Sequence, residues 1–176
     1  MRVEQVVTFL EMTSRDQLSP GRAAPAPVEL RQSGDLSSIR ATTERVAAPH
    51  HWSSLEWSDL QWRDYMAHPH RHHWLVLTGG QVAGLVAVTA QPEGQAEINT
   101  FGLVPEFVGK GFGGHVLTAA VELAWDVEPA DGTPISRVWL HTSSLDHPHA
   151  LANYRRRGFR VFRTQNRPRV VPDERT

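Results

Sequence analysis

The chain has 176 residues, 40% of them apolar and 21% charged, which suits one globular domain and excludes wholesale disorder, a fibrous repeat, or two full domains with a linker. It contains no cysteine, so disulfides, cysteine-ligated metal centres and a catalytic thiol on the protein are excluded. The net charge of −1 hides an asymmetry: residues 155–176 hold eight arginines against Asp173 and Glu174, a local balance of +6, while residues 1–154 carry −7.

Val3 to Met12 is β-branched and aromatic with partial alternation and is read as a strand. Ser14 to Gln17 reads as a short helical turn, Ser19 to Pro27 as a Pro/Gly/Ala-rich loop, and Val28 to Arg31 as a second short strand. Two helices follow, Ser37 to Val46 with Ile39 and Val46 inward, and Ser53 to Met66 carrying Leu55, Leu60, Trp62 and Met66. Trp74–Thr78 and Val82–Thr89 flank Gly79-Gly80, a hairpin signal, because that dipeptide tolerates positive φ. After the turn-forming Pro92-Glu93-Gly94 comes a strand from Glu97 to Val104, so the middle of the chain is an antiparallel sheet. Pro105 to Gly114 breaks that strand, and His115 to Trp125 is a mostly buried helix. Arg137–His141 is a core strand, His149–Arg157 a helix ended by Gly158, and Phe159–Arg163 a last strand. Residues 1–27 are expected to be an N-terminal strand-and-loop extension, 28–165 the functional domain, and 166–176, with Pro168 and Pro172, a flexible tail.

The most informative stretch runs from Leu103 through Val108-Gly109-Lys110-Gly111-Phe112-Gly113-Gly114, where a strand passes through glycines into a helix. Such a turn either packs closely against its neighbours or presents unpaired N–H groups, backed by the helix dipole, to a pyrophosphate. Lys110 would add a point charge. A Walker loop is excluded because Gly111 follows Lys110, and a dinucleotide fingerprint because the preceding strands are joined by hairpins.

Val108-Gly109-Lys110-Gly111-Phe112-Gly113 resembles motif A of the GNAT acetyltransferase superfamily, Q/R-x-x-G-x-G/A, with Val108 in place of the first polar residue. Ala150 to Phe159 resembles the family's motif B, with Tyr154, Gly158 and Phe159 in register and His147 where the motif has asparagine. The resemblance spans about residues 28–165. It implies an α/β fold with a mixed, mainly antiparallel central sheet, flanked by helices and splayed at the acetyl-CoA cleft. It further implies an acetyl-CoA-dependent N-acetyltransferase in which Leu103, Val104, Val108 to Gly114 and His147 bind the cosubstrate. Tyr154 would then serve the departing thiolate and Glu97 the incoming amine. Asp146 and His147 are weaker candidates for the base, and Glu106 falls in the loop.

Full proton transfer from Tyr154 would be uphill by about 2 kcal/mol unless its pKa is lowered, since a phenol near 10 faces a thiol near 8.5. No metal is expected: His68-Pro69-His70-Arg71-His72-His73 is dense in imidazole but holds no carboxylate. Trp52, Trp57 and Trp62 recur every five residues, which is no helical stripe; core packing is the commoner explanation for such residues, with at least one of them a candidate for an acceptor pocket or another subunit, as in a homodimer. The expected partners are coenzyme A and an amine acceptor, a small molecule rather than a protein. With short apolar runs and no signal segment, the expected setting is cytoplasmic with no membrane, and the acidic bulk argues against nucleic acid. The competing readings are a non-catalytic acyl-CoA-binding module and a nucleic-acid-associated protein using the arginine-rich end.

Overall fold

The computed structural model describes residues 1–172. Its strands are β1 (Arg2–Met12), β2 (Glu29–Gln32), β3 (Arg71–Thr78), β4 (Gln81–Gln91), β5 (Gln95–Leu103), β6 (Arg137–Ser143) and β7 (Arg160–Val170). Its α-helices are α1 (Leu36–Ala47), α2 (Asp59–Met66), α3 (Gly113–Asp126) and α4 (Ala150–Arg156). All seven strands form one sheet in the order β2-β3-β4-β5-β6-β1-β7, antiparallel except for β5 and β6.

Strand β4 is buried at nearly every position because helices cover both faces of the sheet there. On one face, Val86, Val88, Ala96, Ile98, Val138 and Leu140 pack with Val116, Leu117 and Val121 of α3 and with Tyr154 of α4. On the other, Leu85 and Val104 pack with Ile39, Val46 and Trp62 of α1 and α2. Each Val or Leu so buried contributes about 1.5–3 kcal/mol of transfer free energy. The β3–β4 turn has φ of 57° at Gly79 and 74° at Gly80, the twin positive angles that a two-residue hairpin requires.

Three expectations change. The segment Ser53–Met66 is not one helix: a 3-10 turn over Ser53–Glu56 stops at extended Trp57, and Ser58 starts α2 with a capping box closed by Gln61. Leu60 consequently lies 66% exposed, whereas Trp62 is buried. Residues 1–12 are no appendage, since β1 is an inner strand between β6 and β7. The tail expected to fray from 166 is strand as far as Val170, paired with Arg2, and the Val171 N–H donates to the Met1 carbonyl at 2.9 Å. Pro168 is tolerated because β7 is an edge strand, where a missing N–H costs no ladder bond. The rest of that tail, residues 173–176, lies outside the described residues.

The parallel pair β5–β6 is short, joining only Gln95–Glu97 to Arg137–Trp139. Beyond it, β5 pairs with β4 alone and β6 with β1 alone, so the sheet opens into a wedge between Ile98–Leu103 and Leu140–Ser143. The expected splay is therefore present.

Candidate active site

One end of the wedge is the glycine loop. Gly109 and Gly111 sit at φ 74° and 88°, conformations that oppose any side chain. Helix α3 begins at Gly113 without a side-chain cap, and its first backbone bond is Val116 N–H to the Phe112 carbonyl at 3.0 Å. The N–H groups from Gly109 to His115 therefore make no hydrogen bond to any described residue. A Cβ at Gly109 would meet nothing and one at Gly113 only the Asn153 amide at 3.7 Å, which leaves room beside both glycines, whereas a Cβ at Gly111 would touch Pro25 at 3.7 Å. A row of free donors at a helix start suits a diphosphate.

Arg157, at the end of α4, lies against that helix start. Its Nη1 stands 2.5 Å from where a Cβ of Gly114, or of Gly21, would be, so both glycines make room for the guanidinium. Its Nε is buried without a partner, and burial together with Arg156 lowers its pKa. A cation beside the positive end of a helix dipole, with no carboxylate near, favours an anion at that spot. Residues 17–21 fix this corner: Ser19 N–H donates to the Arg157 carbonyl at 2.9 Å and Gly21 N–H to Thr118 Oγ1 at 2.8 Å.

The β5 edge of the wedge is set by strand parity. Val104 N–H donates to the Ala83 carbonyl at 2.8 Å, which makes Gly84 and Leu103 a non-hydrogen-bonded pair. The N–H groups of Leu103 and, two residues earlier, Phe101 thus point away from β4 toward the opening. Val104, expected beside Leu103 as a donor, has spent its N–H and faces the α1–α2 core instead.

Tyr154 reaches the wedge from α4, its ring 6.2 Å from both Phe101 and Phe159 and only 7% exposed. Its hydroxyl makes no hydrogen bond to a described residue. Burial, reinforced by the Asp146 charge, pushes the phenol above its ordinary 10, the opposite of the lowering that complete proton transfer would need.

Glu97 lies where β5 and β6 part, cross-strand from Trp139. Gln91 Nε2 donates to its carboxylate at 3.0 Å, and Trp139 Nε1 donates to Gln91 Oε1 at 2.9 Å. Burial raises the Glu97 pKa, with Arg71 and the Gln91 bond opposing the rise. Nearby, Asn99 is the extra residue of a bulge opposite Ala87–Val88. Its Nδ2 donates to the Tyr65 hydroxyl at 2.7 Å, and Thr89 Oγ1 donates to its Oδ1 at 2.8 Å. Tyr65, Asn99 and Arg71, whose guanidinium lies 4.2 Å from the Tyr65 ring centroid, form a support for this corner that no motif announced. The isolated Asn inside an otherwise β-forming run was the available signal.

The weaker base candidates fare differently. Asp146 is fully engaged: Oδ1 accepts from Trp52 Nε1 at 2.8 Å, and Oδ2 accepts from Thr142 Oγ1 at 2.7 Å and Ser143 N–H at 2.8 Å. It latches the α1–α2 connection to the mouth of α4. His147 uses Nδ1 to accept from His149 N–H and lines a cavity of about 260 Å³ with Thr8, Thr142 and Leu151. Glu106 pairs with Arg45 at 3.0 Å on the surface. In the histidine run, His73 turns inward against Tyr65 while His72 neighbours Trp74. The described residues contain no group of three His, Asp or Glu able to share a metal ion.

A wedge between two parallel strands, bounded by a glycine loop with free amides, is now in view, and the family model for GNAT acetyltransferases matches residues 36–159. The chain belongs to that family. Among solved structures, this chain is similar to a conserved protein of unknown function from Staphylococcus epidermidis, with TM-score 0.63 and 15% identity over 94% of this chain and 61% of that one. It is similar also to GCN5-related N-acetyltransferases from Kribbella flavida (TM-score 0.62, 18% identity, 93% and 57% covered) and Sphaerobacter thermophilus (0.62, 16%, 93% and 50%). At these identities the likeness is one of fold, and the chain spans about half to six-tenths of the length of these three. No curated protein matches the sequence. No helix among the described residues is long and apolar enough to cross a membrane.

Proposed function

We propose that this acetyltransferase moves the acetyl group of acetyl-CoA to a primary amine by direct attack in a ternary complex. The observation that carries the reading is the continuity of free donors, from the amides of Gly109–His115 to those of Leu103 and Phe101 along the open edge of β5. The loop amides, with Arg157 beside them, would hold the phosphates, and the Leu103 amide the pantetheine arm. The Phe101 amide, next to the Tyr154 ring, is the donor for the thioester carbonyl, where oxyanion charge develops.

The amine arrives mostly as an ammonium and must lose a proton to attack. Glu97, with a raised pKa, is a stronger base than an ordinary carboxylate and takes that proton. As the C–N bond forms, negative charge moves to the carbonyl oxygen; as it returns, the C–S bond breaks. The second ammonium proton leaves nitrogen and ends on the thiolate, giving an amide and free CoA thiol. Tyr154, held protonated by burial, donates a hydrogen bond to the developing thiolate and keeps its own proton.

The test is calorimetry of coenzyme A binding, with release of thiol from acetyl-CoA measured over an amine panel. Gly109→Ala introduces a Cβ at φ 74°, a strain of about 1–2 kcal/mol in the loop that presents the donors. Its expected result is CoA binding weakened by about tenfold or more. No heat of CoA binding to the native protein would overturn the reading, and binding without turnover of any amine would leave only an acyl-CoA-binding module.

A further inference from the structure

Helices α1 and α2 cover one face of the sheet only from β3 to β5. On that same face β6, β1 and β7 carry a run of aromatic rings that no helix covers and that only side chains border, the Arg137 guanidinium lying 5.7 Å from the Trp139 centroid and 4.7 Å from that of Phe162. Trp139 and Phe9 stack at 6.4 Å with an interplanar angle of 24°, and Phe9 lies 5.5 Å from His141 and 6.1 Å from Phe162, which is 42% exposed. The platform begins at the candidate base, because Trp139 is the cross-strand partner of Glu97 and is tied to it through Gln91.

Its far end is cationic. The guanidiniums of Arg163 and Arg167 lie 5.3 and 5.9 Å from the centroid of Phe9. Neither forms an ion pair with a described residue, and the nearest acid on the platform, Glu11, is already neutralised by Arg137 at 2.6 Å. Desolvation by its neighbours lowers the pKa of the His141 imidazole, with Asp146 opposing and Arg167 adding to the shift, so its neutral form is favoured and it adds ring surface. Arg163 donates to no described residue and keeps its whole N–H edge for a bidentate anion, while Arg167 spends Nε and Nη2 on Gln165 Oε1, at 3.0 and 2.5 Å, and keeps Nη1.

Resting on the acetyl-transfer reading, we propose that the acceptor is an aromatic primary amine with an anionic group at its other end, its ring lying on Trp139 and Phe9 and its anion held by Arg163 and Arg167. Phe9 stands two strands across and two residues along the sheet from Glu97, about 12 Å, so an amine held about 3 Å from Glu97 lies about 9–10 Å from an anion beside Phe9.

Tyramine O-phosphate spans that distance, and tyramine is the same amine without the anion. In acetyl-CoA-dependent thiol release, kcat/KM for tyramine O-phosphate is expected to exceed that for tyramine by about tenfold or more, the worth of one charge-assisted hydrogen bond. In R163Q/R167Q that preference collapses to near parity, with tyramine turnover and the KM for acetyl-CoA unchanged. Arg163→Glu, at an exposed site, reverses the preference toward tyramine. Raising the ionic strength weakens the preference in the native protein.

Turnover of tyramine with no preference for its phosphate overturns the acceptor class alone, as does a preference that survives R163Q/R167Q. If CoA binds and neither amine is acetylated, titration of tyramine O-phosphate into the CoA-bound protein decides: heat that is lost in R163Q/R167Q supports the site, and no heat overturns it. Conversion of a dimer to a monomer by R163Q/R167Q would assign the platform to a second copy and overturn the proposal. A protein that takes up no CoA refutes the acetyl-transfer reading itself and this proposal with it.

Discussion

Tyr154→Phe separates catalysis from packing at a single atom. The ring is held by Phe101 and Phe159, while the hydroxyl makes no hydrogen bond to a described residue, so its removal breaks no bond of the fold. Stability should be unchanged or slightly raised, since a nearly buried, unpartnered polar group costs free energy. In the transition state the hydroxyl would face a sulfur gaining a full charge, an interaction worth about 1.5–3 kcal/mol. That corresponds to a loss of roughly 10- to 150-fold in kcat. The KM for acetyl-CoA should stay level, because the ground-state thioester sulfur is neutral. Burial and Asp146 hold the phenol above 10, so Tyr154 remains protonated through pH 9 and imposes no alkaline limb there. The assay is thiol release between pH 6 and 9, paired with thermal unfolding of both proteins. A kcat within twofold of native would refute the role, and a lowered melting temperature with matching losses in kcat and KM would reduce Tyr154 to packing.

Glu97→Gln should lower kcat by about 10²- to 10⁴-fold and abolish the acid limb of the kcat/KM profile, a limb the raised pKa sets above the ordinary carboxylate range. Because the folded pKa is raised, ionising Glu97 costs stability as pH rises, and E97Q should melt higher than native at pH 8. His73 is 3% exposed and its pKa is pushed down to about 4 from 6.5, so the stability of its neutral form is present above pH 6.5 and drains away as pH falls toward 4. The loss is about 3 kcal/mol, and His73→Leu should flatten denaturant midpoints over that window. Asp146→Asn puts an NH₂ where donors already point, from Trp52 or from Thr142 and Ser143, and should cost about 1–3 kcal/mol in unfolding free energy. It also removes the charge that helps raise the Tyr154 pKa, so ultraviolet titration should find that phenol ionising at lower pH.

Most of what the sequence by itself determined is local. Gly79-Gly80, the helical face of α3, the Gly109–Gly114 turn and the Tyr154–Phe159 register depend on backbone freedom and on side-chain period within about a dozen residues, and such features survive without knowledge of partners. Tertiary structure decided whatever depends on which strand lies beside which. That β1 is an inner strand follows from pairing with β6 and β7, more than a hundred residues away in sequence. Whether Val104 or Leu103 offers a free amide follows from the parity of β4–β5 pairing, which the Asn99 bulge resets and composition does not encode. Arg157 lodged between Gly21 and Gly114, and Trp52 locked to Asp146, are likewise meetings of distant segments. Periodicity records which way a side chain faces along its own element; only the closed sheet decides what it faces.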